Sequence, residues 1–132
     1  MTSLSVYTDG GARGNPGPAA IGVVVKGEQG KIIHEFGRTI GETTNNVAEY
    51  QAVIAALEWI KTRPRQEINF YLDSTLVVHQ LKGEWKIKQD HLKPLAGEVH
   101  RLEAGLSITY TAIPREQNIR ADALVNRALD KC

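Results

Sequence analysis

Residues 3–18 read SLSVYTDGGARGNPGP, and the change of pattern inside this stretch sets the frame for the rest of the chain. Leu4, Val6 and Thr8 fall on one side, and Ser5, Tyr7 and Asp9 on the other, which is the period of two of a half-buried strand. Asp9 is expected to close that strand. The following GGARGNPGP is so rich in glycine and proline that it reads as turn or loop. It lacks the Gly-Lys-Ser/Thr ending of a nucleotide-binding phosphate loop.

Outward from this start, residues 20–26 and 31–39 read as two more strands, with Gly27-Glu28-Gln29-Gly30 as a short hairpin connection. From residue 44 to 62 the period becomes 3.6, with Tyr50, Val53, Ile54, Leu57 and Ile60 on one stripe and Pro64 just beyond the end. Ile68, Phe70 and Leu72 alternate with Asn69, Tyr71 and Asp73 in a fourth strand that again ends on an aspartate. Ser74 is placed to cap a helix stopping near Gly83, and another helix spans about residues 90–104. Leu106, Ile108, Tyr110 and Ala112 form a fifth strand. Asn118 precedes a last helix with Ala121, Leu124, Val125, Ala128 and Leu129 on one face. The order βββαβααβα implies an α/β fold: a mixed five-stranded sheet with helices on both faces, built as an antiparallel meander extended by parallel strands.

At 132 residues and 42% hydrophobic content, the sequence fits one domain, residues 1–132, with one core. No run approaches the ~20 apolar residues of a membrane-spanning helix. The start lacks the basic and apolar regions of a secretion signal, and the single cysteine, Cys132, has no internal partner. A cytoplasmic, monomeric protein is expected. The formal net charge of +1 is uninformative about a polyanionic partner, but Lys82, Lys86 and Lys88 gather around Trp85.

Asp9 and Asp73 both end strands on the polar side, so their carboxylates should leave the carboxyl edge of the sheet, where ligands bind in open α/β folds. Glu49, in the early turns of the long helix, and Asp122, in the first turn of the last, can point to the same edge. Four gathered acids repel one another unless protons or a cation intervene. A carboxylate-only set with no neighbouring Cys or His suits Mg²⁺ or Mn²⁺. Two such ions ~4 Å apart would serve in-line phosphoryl displacement. Singly, each acid also fits a turn or a helix start. A two-carboxylate sugar hydrolase would account for two of the acids but not four.

Four blocks, YTDGGARGNPGPAAIG, TTNNVAEYQAVIAAL, LDSTLVVHQL and ADALVNRAL, resemble the type 1 ribonuclease H family, in the family's order and across nearly the whole chain. The resemblance implies an endonuclease that hydrolyses the RNA strand of RNA–DNA hybrids, leaving 5′-phosphate and 3′-hydroxyl ends. It implies that Asp9, Glu49, Asp73 and Asp122 are the catalytic carboxylates holding two Mg²⁺ or Mn²⁺ ions. Asn15, Thr44, Asn45 and Asn46 match positions that contact the minor groove or a DNA phosphate. Short amides and hydroxyls can read base edges and ribose 2′-hydroxyls, while the glycine-rich backbone at Gly10 permits close approach. Ser74 and Lys86 complete the candidate substrate contacts, with Trp85 able to stack on a sugar or base. Thr44 or Asn45 also suit a helix cap, Asn15 a plain turn, and Trp85 simple packing.

Two departures from the family pattern stand out. Only GEWKIKQDHLKPL joins the two middle helices, so the long basic substrate handle of many bacterial members is missing. The chain is then similar to the short archaeal and reverse-transcriptase-type domains. The loop before the last helix reads AIPREQNIRAD, with no histidine where many relatives have one; Arg115 is the auxiliary candidate, able to act electrostatically but not as a neutral-pH proton carrier. His34, His79, His91 and His100 are expected at the surface or in packing. Double-stranded RNA, a DNA junction and noncatalytic hybrid binding are the alternative readings of the same site.

Overall fold

The computed structural model describes residues 3–64 and 67–131; Cys132 lies outside them. Five strands, β1 (Ser3–Ala12), β2 (Gly17–Lys26), β3 (Ile32–Thr43), β4 (Glu67–Leu72) and β5 (Ser107–Ala112), and four helices, α1 (Asn45–Ile60), α2 (Thr75–Leu81), α3 (Lys93–Glu103) and α4 (Ile119–Asp130), follow the expected βββαβααβα order. The strands lie side by side as β3-β2-β1-β4-β5. β1 pairs antiparallel with β2 and parallel with β4, and the register Thr8↔Leu72 brings the next residues, Asp9 and Asp73, abreast at the carboxyl edge.

The expected boundary at Asp9 is wrong in one respect. β1 continues to Ala12, because Gly10, Gly11 and Ala12 remain paired with Ile21, Ala20 and Ala19. The turn expected over the whole glycine-proline stretch shrinks to residues 13–16, closed by the Arg13 N–H donating to the Pro18 carbonyl at 2.8 Å. Glycine loosens a strand, but cross-strand hydrogen bonds override that preference here. The helix expected over 90–104 begins as a 3₁₀ turn at Asp90–Leu92 and becomes α-helical at Lys93, with Pro94 in its first turn.

β2 is buried on both faces. Ile21, Val23 and Val25 face α1 and the main core with Phe70, Tyr50 and Leu57, while Ala20 and Val24 face α4. This double burial is why its sequence reads as an unbroken apolar run. Helix α1 is likewise buried around more than its expected stripe, Ala48, Ala52, Ala55 and Ala56 included, since α3 covers the side that the sheet does not. On the opposite face, Gly22 and Gly37 are cross-strand partners, and a Cβ on them would lie 2.3 Å from the Ala121 carbonyl oxygen and 2.6 Å from that of Leu124. This pair of glycines lets the backbone of α4 rest directly on the sheet, which sets the depth at which Asp122 sits. No helix among the described residues is long and apolar enough to cross a membrane.

Candidate active site

The four acids reach one edge from four elements. Asp9 comes from β1, Asp73 follows β4, Glu49 comes from the second turn of α1, and Asp122 from the first turn of α4. Asp9 and Glu49 are only 8% and 6% exposed, and one carboxylate oxygen from each of Asp9, Glu49 and Asp73 lies within 4.8 Å of the others. Asp122 is half-buried and lines the same cleft beside them.

Helix α1 is started by Thr44, whose Oγ1 accepts from the Val47 N–H at 3.3 Å. Its early turns press on β1 at Gly10, where a Cβ would stand 2.3 Å from both the carbonyl carbon and oxygen of Ala48. The bare backbone there lets the Gly10 N–H donate a short hydrogen bond to Glu49 Oε1. Burial, then the charge of Asp73, pushes the Asp9 carboxyl up to about 7. Burial, then the charge of Asp9, holds Glu49 well above the usual carboxylate range. An acid cluster paired with no Lys or Arg among the described ion pairs is short of positive charge. Its all-oxygen donor set fits a hard divalent cation.

The acids open into a cleft of about 370 Å³, also lined by Gly10, Arg13, Asn45, Asn46, Ser74, Arg115 and Asn126. Among the described residues no histidine lines it. His34 stacks on Trp59, His79 on Trp85, and His100 pairs with Glu103, so the surface and packing reading fits these three. Arg115 stands in a 3₁₀ turn, Arg115–Gln117, at the cleft's rim.

The other candidates divide. Asn45 Oδ1 accepts from the Ala12 N–H at 2.8 Å, and the Asn45 N–H donates to Asn15 Oδ1 at 3.0 Å, so these two amides tie the β1–β2 turn to the start of α1. Ser74 caps α2 by accepting from the Val77 N–H and still faces the cleft. Trp85 and Lys86 line a different cavity, with Leu76, Gln80, Glu84 and Lys88; Trp85 stacks on His79 at 4.3 Å while remaining 46% exposed.

Three residues of the site escape the sequence reading. Asn126 Nδ2 donates to the carbonyl and to Oδ2 of Asp122 at 3.1 and 3.3 Å; its spacing of four from Asp122 on one helix was the available signal. Arg13 lines the cleft while bonded to Asp130 at 2.6 Å. Asn118, expected only to start α4, makes no side-chain cap bond and instead donates to the Thr8 carbonyl at 2.9 Å and to Asp73 Oδ2 at 3.4 Å.

A sheet ordered 3-2-1-4-5 with a carboxylate cluster at the parallel edge defines a ribonuclease H-like fold, and comparisons with known proteins specify it further. The family described as "Reverse transcriptase-like" matches residues 7–128. Ribonuclease HI of Halobacterium salinarum is 46% identical over 130 residues, covering 96% of this chain and 64% of that protein. The crystal structure of ribonuclease H1 from that organism superimposes with a TM-score of 0.95 at 44% identity, covering 98% and 99% of the two chains. LC11 ribonuclease H1, isolated from compost by a metagenomic approach and also solved with an RNA/DNA hybrid, gives 0.93 at 46% identity over 97% of both chains. This chain belongs to the type 1 ribonuclease H family of enzymes, in its short form. It spans about two thirds of the halobacterial protein and 35% of the next relatives, among them the bifunctional protein Rv2228c of Mycobacterium tuberculosis.

Proposed function

We propose that the chain is a metal-dependent endonuclease that hydrolyses the RNA strand of RNA–DNA hybrids, leaving 5′-phosphate and 3′-hydroxyl ends. The observation that carries the reading is the convergence of three buried or half-buried carboxylates within 4.8 Å, with Asp122 beside them, in a fold whose LC11 neighbour was solved with such a hybrid. Asp9, Glu49, Asp73 and Asp122 would hold two Mg²⁺ or Mn²⁺ ions. When bound, the ions supply the positive charge that eases deprotonation of an attacking water and offsets charge on the departing 3′ oxygen.

The chain's own residues do the rest. Gly10 donates to Glu49 and so keeps one carboxylate oxygen turned toward the strand, while Asn126 fixes the rotamer of Asp122. Asn46, Ser74 and Gly10 at the cleft wall are short enough to admit the ribose face and its 2′-hydroxyl, the group that separates RNA from DNA. Asn15, Thr44 and Asn45 shape that wall by holding the turn against α1. Arg115 at the rim is placed to hold a phosphate through its guanidinium fork. Trp85 offers an exposed ring, beside Lys86 and Lys88, to the other strand.

The products test this directly. Fragments released from a labelled hybrid in Mg²⁺ or Mn²⁺ should carry 5′-phosphates open to ligation and 3′-hydroxyls open to extension. Cyclic or 3′-phosphate ends would instead mean that the ribose hydroxyl, not water, attacks, and would sink the reading.

A further inference from the structure

Asn118 is 1% exposed and touches the frames of three of the four acids at once. Its Nδ2 donates to the carbonyl of Thr8, the residue before Asp9, and reaches Asp73 Oδ2. Its own carbonyl accepts the Asp122 N–H at 3.1 Å in the opening turn of α4. Both side-chain partners are acceptors, so the amide can face them only through its nitrogen.

Two details separate this residue from an ordinary helix start. An asparagine before a helix normally spends its side-chain oxygen on the helix's free N–H groups, and here that bond is not made. The buried Oδ1 of Asn118 has no hydrogen-bond partner among the described residues, and neither has Thr8 Oγ1. The side chain therefore turns away from the helix it precedes and toward the strand ends that carry Asp9 and Asp73.

We infer that Asn118 is a positioning residue for the metal-binding carboxylates, its amide locking Asp73 in register with Asp9 while its backbone sets the start of the helix that carries Asp122. The inference rests on the reading of the acids as a metal centre. Removing the amide frees Asp73 to rotate and lets β1 and β4 shift relative to α4, so the loss should appear in metal affinity and in kcat, with the KM for hybrid left in place.

The test uses the full chain with Asn118→Ala and the milder Asn118→Ser. Mn²⁺ affinity is measured by titration calorimetry without substrate, thermal stability in chelator, and kcat and KM on a hybrid. The expected result is Mn²⁺ binding at least tenfold weaker in both folded variants, and kcat lower by a similar factor, with KM within twofold. Mn²⁺ binding within twofold of the parent in a folded variant, whatever its melting temperature, overturns the inference, as does failure of both variants to fold, which would make the residue purely structural. If the parent chain binds no Mn²⁺, the metal-centre reading fails and takes this inference with it. If the parent binds Mn²⁺ but leaves hybrid intact, only the proposed activity fails, and the affinities still decide the role of Asn118.

Discussion

The N–H of Gly10 donates to the carboxylate of Glu49, 39 residues further along the chain, across a contact so close that only a residue without a side chain fits. This bond joins the strand bearing Asp9 to the helix bearing Glu49. Gly10→Ala should therefore push α1 from β1 and displace Glu49. A displacement of ~1 Å costs on the order of a hundredfold in rate, so hybrid cleavage should fall by about that factor together with a lower melting temperature. Near-parental activity would show that the contact is not needed.

Asp9→Asn separates function from stability. Without metal the carboxyl is held up to about 7 by burial and by Asp73, so above that pH its ionised form is a burden on the fold. The variant should melt higher than the parent in chelator at pH 8, yet lose cleavage by on the order of a thousandfold, the scale of several kcal/mol of lost transition-state stabilisation. A variant that melts lower in chelator contradicts the electrostatic picture.

The same strain gives a pH dependence. The Asp9 pKa is raised on folding, so between about 4 and 7 the unfolded chain has released a proton that the folded chain retains, and stability falls as pH rises through that window. Glu49 acts in the same direction. Thermal unfolding in chelator, scanned from pH 5 to 8, should show decreasing melting temperatures. Mg²⁺ or Mn²⁺ should restore stability most at the high end, because the cation needs deprotonated ligands. A metal-free melting temperature that rises over this range would be the contrary result.

Trp85→Ala and Lys86→Ala probe the second cavity. Stacking on a base is worth ~1–3 kcal/mol, so Trp85→Ala should raise KM for hybrid several-fold or more with little change in kcat. Lys86→Ala should flatten the logarithmic dependence of binding on salt by about one. Unchanged binding in both would return these residues to packing and solvation.

Arg115→Ala should slow cleavage at saturating hybrid by roughly tenfold, through loss of one charged contact to a phosphate. An unchanged rate would remove Arg115 from the mechanism.

The topology was legible because period-two and period-3.6 patterns alternate cleanly along the chain, and the parity of Asp9 with Tyr7 and of Asp73 with Tyr71 placed both acids on one side; the two tyrosines indeed stack at 5.0 Å. The extension of β1 through Gly10–Ala12 was hidden because its pairing with Ala19–Ile21 is non-local. Asn118 was hidden for a similar reason. At the start of a helix an asparagine reads as a cap, and only the assembled sheet shows that its amide turns to Thr8 and Asp73. The separation of Trp85 from the acid cleft likewise depends on the path of the chain after α2, which no periodicity encodes.

Cleavage of an end-labelled RNA–DNA hybrid, beside double-stranded RNA and double-stranded DNA, in Mg²⁺ or Mn²⁺ and in excess chelator, tests the central claim most directly. The expected result is cutting of the RNA strand of the hybrid alone, abolished by chelator. Cutting that persists in chelator, or tight hybrid binding with no cutting in either metal, would contradict it.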